Sequence, residues 1–297
     1  MNLFLQRARA SLEGLSVGDG FGEKFFISHG VREAIEARRL PATPWFWTDD
    51  TAMALSIYDC LEAHSELIAD DLARRFAKRY INDPTRGYGA GMRHMLNDVN
   101  RGKGWAEVSA SAFGGTGSWG NGAAMRAAPV GAYFAESLER VVEQATVSAR
   151  VTHAHPEGIA GAVAIAVAAA LAVRHRVSSL ERRDFIQKVA DFTPESEVRS
   201  KLLHASKFTD DTPIETAIFQ LGCGWDVSAQ DTVPFCVWCA AKYLEDFVEG
   251  MWYTVSALGD RDTTCAIVGG IIAANTGMEG IPQTWRQARE DLPVWSD

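Results

Sequence analysis

The sequence predicts an all-α protein, a single compact multi-helix domain over residues 1–297. Three observations predict this. Apolar residues recur at helical spacing along nearly the whole chain, and no run alternates as a half-buried strand would. Neither a repeat nor a low-complexity linker divides the chain. Hydrophobic residues make up 47% of 297 positions, enough for a substantial core.

The elements follow in order. NLFLQRARASLEGLS, residues 2–16, carries a broken apolar stripe that runs into glycines. In DDTAMALSIYDCLEA, Ala54, Ile57, Tyr58 and Leu61 fall at i, i+3, i+4 and i+7 and share one face. ADDLARRFAKRYI places Leu72, Phe76 and Tyr80 on one face and its basic residues elsewhere. SLERVVEQATVSARV resumes the period, with Ser137 as the expected N-cap. GIAGAVAIAVAAALAV, residues 158–173, is the longest uncharged run. It falls short of the roughly 20 residues a spanning helix needs. Alanine lets neighbouring backbones approach, so this run is expected as a buried central helix. ERRDFIQKVADF, SEVRSKLLHAS, DTPIETAIFQL, TVPFCVWCAAKYLEDF and TTCAIVGGIIAAN complete the set, with Pro213 near a helix start. Glycine-rich loops are expected at 17–22, 114–122 and 258–262, where a rigid scaffold would present its chemistry.

The formal charge is −9, from 29 basic and 38 acidic residues. No basic stripe marks a nucleic-acid binder. A small ligand, or a protein target carrying a cationic group, suits this balance. The five cysteines are an odd number, and no secretory signal opens the chain, so a disulfide framework is not expected. Cys236 and Cys239 form a C-x-x-C inside an apolar helical run and read as buried helix-face residues. The expected location is the cytoplasm, with no membrane association.

Five motifs could carry chemistry. In WTDDT, Thr48 or Asp49 could cap a helix, but a cap does not require both Asp49 and Asp50. In LGDRDTT, Asp260 and Asp262 alternate, and Thr263 and Thr264 open an apolar helix. In an extended turn the two acids would point the same way. Four converging carboxylates would repel and raise one another's pKa values unless cations intervened, and oxygen ligands suit Mg²⁺ or Mn²⁺. In FGGTGSWGNGAAMRAAPVG, five glycines lie between Gly114 and Gly122. Glycine lets backbone approach a ligand and successive N–H groups cradle an anion, while Phe113 and Trp119 offer flat surfaces for a base. In THAHPEGIAG, one of His153 and His155 is expected to line a pocket and the other to be structural. SVGDGFGEKFF, with Asp19 and Glu23 among Gly18, Gly20 and Gly22, is either a capped turn or a mobile flap carrying an acid.

In this order, GDGFG, TDDT, GSWGNGAAMRAAPVG, THAHPEGIAGA and GDRDTT resemble the ADP-ribosylglycohydrolase family, typified by the dinitrogenase reductase-activating glycohydrolase. The resemblance implies an all-α fold with a two-metal cleft holding two divalent cations, Mg²⁺ first and Mn²⁺ as the alternative. Thr48, Asp49 and Asp50 match the first ligand block; Asp260, Asp262 and Thr263 match the second. Asp49, Asp50 and Asp262 are the candidates for activating water. Gly115, Gly117, Ser118, Gly120, Asn121, Gly122 and Met125 match the substrate segment, Phe113 and Trp119 its aromatics, and His153 a histidine beside it. Many members carry a flap glutamate where this chain has Phe26; Glu23 is the nearest acid and the candidate replacement. The implied substrate is an ADP-ribosylated protein or a small ADP-ribose conjugate. Arginine linkage is the leading expectation, with serine or O-acetyl linkage as the alternative. A two-metal nucleotide phosphohydrolase and a non-catalytic ADP-ribose binder are the competing readings.

Overall fold

In a computed structural model, residues 2–26 and 29–293 are described. Among them the helices are α1 (Leu3–Glu23), α2 (Val31–Glu36), α3 (Asp49–His64), α4 (Ala69–Asn82), α5 (Ala90–Asn100), α6 (Trp105–Gly115), α7 (Ala128–Tyr133) and α8 (Leu138–Arg150). They continue as α9 (Pro156–His175), α10 (Arg182–Phe192), α11 (Glu197–Ala205), α12 (Ile214–Leu221), α13 (Ala229–Lys242), α14 (Phe247–Val255), α15 (Arg261–Thr276) and α16 (Gln283–Ala288). The described residues contain no sheet; their only β-type pairings are isolated bridges, Trp45 with Arg289 and Gly120 with Ser228.

The alanine-rich run forms the middle of α9 and is buried from Ala160 to Val173. Small residues set its neighbours' distance. A methyl group at Gly131 of α7 would lie 1.8 Å from the Ala166 carbonyl oxygen. Helix α9 is long and apolar enough to cross a membrane, but protein covers its sides. All five cysteines are free and buried, Cys236 and Cys239 on α13 among them.

The expected loop at 17–22 is instead the last two turns of α1. The glycines there serve helix packing. Methyl groups at Gly14, Gly18 and Gly22 would lie 2.4, 2.1 and 2.1 Å from the carbonyl oxygens of Gly269, Cys265 and Arg261. Both sets recur every four residues, so α1 and α15 run antiparallel in backbone contact along one seam. Read locally, the glycines signal a turn; the partner helix makes them a packing surface. This seam places Asp19 and Glu23 beside the start of α15.

Candidate active site

Three chain segments meet at the site: the end of α1, the start of α3 and the start of α15. Thr48 is the N-cap of α3, and its hydroxyl oxygen accepts from the Asp50 N–H at 3.4 Å. The rest of that cap comes from α1. Asp19 is fully buried. Its Oδ1 and Oδ2 accept the Thr48 N–H at 3.1 and 2.9 Å, and Oδ2 also accepts the Thr51 N–H and hydroxyl at 3.1 and 2.5 Å. Asp49 and Asp50 are therefore not needed as caps. Asp50 receives the Thr48 hydroxyl on Oδ2 at 3.1 Å, while its Oδ1 is buried with no partner.

At the start of α15, Asp260 occupies the N-cap position but its carboxylate does not cap. It accepts instead from the Asn121 amide at 2.7 Å, which ties the glycine-rich segment to this acid. Asp262 lies in the first turn of α15 rather than in an extended turn, and its Oδ1 is also buried and unpartnered. Thr263 is buried beside it.

The electrostatics show that these acids share one field. Burial, then the charges of Asp19, Asp262, Asp49 and Asp260, hold the Asp50 carboxyl well above the usual range. Burial and Asp260 do the same to Asp262. Asp49 is pushed up to about 7 by burial and Asp19, and Asp19 itself to about 6 by burial. Glu23, exposed at the end of α1, is raised by partial burial and by Asp19 and Asp260. Carboxylates so placed, with two orphaned buried oxygens, form a donor set that fits hard divalent cations. The acids stand further apart than one tight cluster. Among the described residues the trio with ligand atoms all within 4.8 Å of one another is Cys60, His64 and Asp71. There Asp71 is committed to Arg75 at 2.5 Å and to His64 at 3.2 Å, an ion-pair network.

A cavity of about 610 Å³ opens beside Thr48 and Asp262. Glu23, Phe26, Phe46, Trp47 and Arg86 also line it. Arg86 lies 3.5 Å over the Trp47 ring and pairs with Asp83 and Glu290. Trp45, by contrast, is core, packed on Phe21 and Trp285. Phe26, at the flap-acid position, is half exposed, with the Arg261 guanidinium 4.2 Å from its ring.

The glycine-rich segment begins where α6 breaks. Phe113, Gly114, Gly115 and Gly117 all take positive φ. Phe113 is 60% exposed and packs on Trp119 at 4.7 Å, and Trp119 in turn packs on His155 at 5.6 Å. Ser118 accepts the Gly120 N–H at 3.2 Å. Asn121 is buried, and its amide is used by Asp260 and Thr232. Met125 is buried beneath Gly122. Both side chains support the segment from below. Of the two histidines, His155 caps α9, accepting the Glu157 N–H at 3.1 Å, and His153 is buried under Gly120 and Gly122.

Sequence reasoning missed Asp19 as the organiser of α3, and it missed Arg126. The spacing of the GDGFG acid from TDDT carries no signal of their contact. Arg126, inside GNGAAMRAAPVG, showed only as an arginine in an apolar run.

The site is thus a helical scaffold that gathers acids from three helix ends beside a glycine segment carrying Phe113 and Trp119, an arrangement suited to a metal-assisted hydrolase. The chain belongs to the ADP-ribosylglycohydrolase family, whose profile matches residues 1–296. It is 30% identical over 331 residues to the human (Homo sapiens) ADP-ribosylhydrolase ARH3, covering 96% of this chain and 90% of that protein. It is 22% identical over 287 residues to the ADP-ribosylarginine hydrolase Tri1 of Serratia proteamaculans, covering 95% of this chain and 74% of Tri1. A solved ADP-ribosylglycohydrolase-related protein complex shares the fold, with a TM-score of 0.66, 22% identity, and coverage of 98% of this chain and 94% of that one.

Proposed function

We propose that the protein hydrolyses the bond between ADP-ribose and an oxygen, in serine-linked or O-acetyl conjugates, rather than the arginine linkage. The observation that carries this is the similarity to ARH3, 30% identical to this chain, against 22% for the arginine hydrolase Tri1. At the cavity mouth, where many family members carry a flap acid, this chain holds Phe26 under the Arg261 guanidinium, so the surroundings of the leaving group differ there.

Thr48, Asp49, Asp50, Asp260, Asp262 and Thr263 would hold two divalent cations, Mg²⁺ with Mn²⁺ as the alternative. When bound, such ions bind sugar hydroxyls and lower the pKa of a coordinated water. The chain's own residues do the rest. Asp262 lines the cavity and Asp49, like it, is half-buried, while Asp50 is enclosed, so Asp49 or Asp262 is the candidate to take the proton of the attacking water. Glu23 lines the same cavity and is the candidate acid for the leaving oxygen; burial, then Asp19 and Asp260, raise its pKa. Phe113 and Trp119 receive the adenine, and the backbone of Gly115, Gly117, Ser118 and Gly120 receives the diphosphate. Asn121, bonded to Asp260, holds the diphosphate segment in register with the acids.

Serine-, O-acetyl- and arginine-linked ADP-ribose, each incubated with the protein and Mg²⁺, test the reading. Free ADP-ribose is expected from the first two. Release from the arginine conjugate alone overturns the linkage. Release from none, with metal bound, overturns the hydrolase, and AMP as product points to a phosphohydrolase.

A further inference from the structure

Arg126 is fully buried, and among the described residues no carboxylate bonds to it. A buried guanidinium without an acid partner is costly, so its contacts matter. Nη1 donates to the Gly122 carbonyl at 2.8 Å, at the end of the glycine-rich segment. Nη2 donates to the Ser148 carbonyl at 3.0 Å and to the Thr152 hydroxyl oxygen at 2.7 Å. The face of the guanidinium lies 4.5 Å from the Phe76 ring.

A guanidinium can only donate. Thr152 Oγ1 therefore accepts from Arg126, which leaves its own hydrogen free for its other partner, His153 Nδ1 at 2.7 Å, and we assign the bond in that direction. Nδ1 is then an acceptor, so the neutral imidazole carries its hydrogen on Nε2. Burial, with the nearby Arg126 charge, keeps His153 neutral, its pKa pushed down to about 3. Nε2 faces the glycine segment: a methyl group at Gly120 or Gly122 would lie 3.5 or 3.3 Å from it. No acceptor among the described residues is bonded to it.

We propose that Arg126 and Thr152 are positioning residues for substrate: together they fix the tautomer that presents His153 Nε2–H to an oxygen of the ADP-ribose moiety, while Arg126 anchors the Gly122 end of the segment. The proposal rests on the reading that residues 115–122 receive ADP-ribose. It turns two core residues with no access to ligand into determinants of affinity.

Replacing Arg126 would leave three oxygens without their donor and can unfold the chain, so Thr152 is the better probe. Thr152→Val keeps the shape and removes the hydroxyl; Thr152→Ser keeps the relay. Nitrogen-15 NMR of labelled histidine, with His153 assigned from a His153→Asn variant, reads the tautomer. Calorimetry with free ADP-ribose and Mg²⁺ reads affinity. Wild type and Thr152→Ser are expected to show His153 protonated on Nε2. Thr152→Val should lose that single tautomer and bind ADP-ribose ~10-fold more weakly, the scale of one lost hydrogen bond. A wild-type His153 protonated on Nδ1 overturns the proposal, as does a Thr152→Val protein with an unchanged tautomer or unchanged affinity. A wild type that binds no ADP-ribose overturns the reading of the segment, and this inference with it.

Discussion

Asp19 of α1 accepts the Thr48 N–H with both carboxylate oxygens, at 3.1 and 2.9 Å, and so caps a helix that begins 30 positions further along the chain. The contact orients Thr48, Asp49 and Asp50 through backbone that Asp19 holds directly. Asn at this position would keep one acceptor and turn an amide N–H₂ toward donors. Asp19→Asn is expected to destabilise the fold by about 1–3 kcal/mol and to lower activity. Urea unfolding alongside single-turnover hydrolysis checks both; wild-type values for both would show the cap to be dispensable.

The raised acids make a pH prediction. Asp19 is raised from 3.8 to about 6 and Asp49 from 3.8 to about 7. A carboxyl raised by folding binds its proton more tightly in the folded state. Its stabilisation is complete below the unfolded pKa and is lost as pH rises through the folded pKa. Metal-free protein should therefore lose stability between about pH 4 and pH 7 through these groups. The paired Asp71 and Asp83 are lowered and act with opposite sign below that window, and His153, lowered to about 3, opposes the decline within it. Saturating Mg²⁺ should flatten the decline. Melting temperatures across this range, with EDTA or Mg²⁺, give the comparison.

Asp50 and Asp262 each bury an oxygen with no partner. Asp50→Asn and Asp262→Asn remove a repelling charge from the cluster. Without metal both should melt at or above the wild-type temperature. Neither should gain the wild-type stabilisation by Mg²⁺, and kcat should fall on the order of 10²–10⁴-fold. Full retention of the Mg²⁺ effect in both would remove these residues from the proposed ligand set.

The seam between α1 and α15 tolerates no side chain. Gly18→Ala brings a methyl group to 2.1 Å from backbone rather than from a flexible side chain. It should cost about 1–3 kcal/mol or more and shift Asp19 relative to α15, reducing activity as well as stability. Gly91, where a methyl group meets nothing within 4 Å, is the control.

Phe113, exposed and tilted against Trp119, is the proposed base platform. Phe113→Ala should raise KM by roughly 10-fold, within the 1–3 kcal/mol that stacking on one base supplies, with kcat little changed. An unchanged KM would place the adenine elsewhere.

Much of this was legible in the sequence because it is local. Helical period, the alanine-rich run, the C-x-x-C in a core helix and the acids beside threonine depend on neighbours within a few residues. The ordered motifs, taken together, carried the family. Tertiary structure alone decided three things. It made Gly18 and Gly22, with Gly14, a packing seam where a loop was expected at 17–22, because a glycine's role depends on what approaches it. It brought Asp19 to the start of α3, relieving Asp49 and Asp50 of capping. It joined Arg126 to His153 through Thr152. Each is a contact between segments distant in the chain or a hydrogen bond whose direction depends on a third group. A one-dimensional pattern records which side chains exist; only packing determines which donors and charges meet.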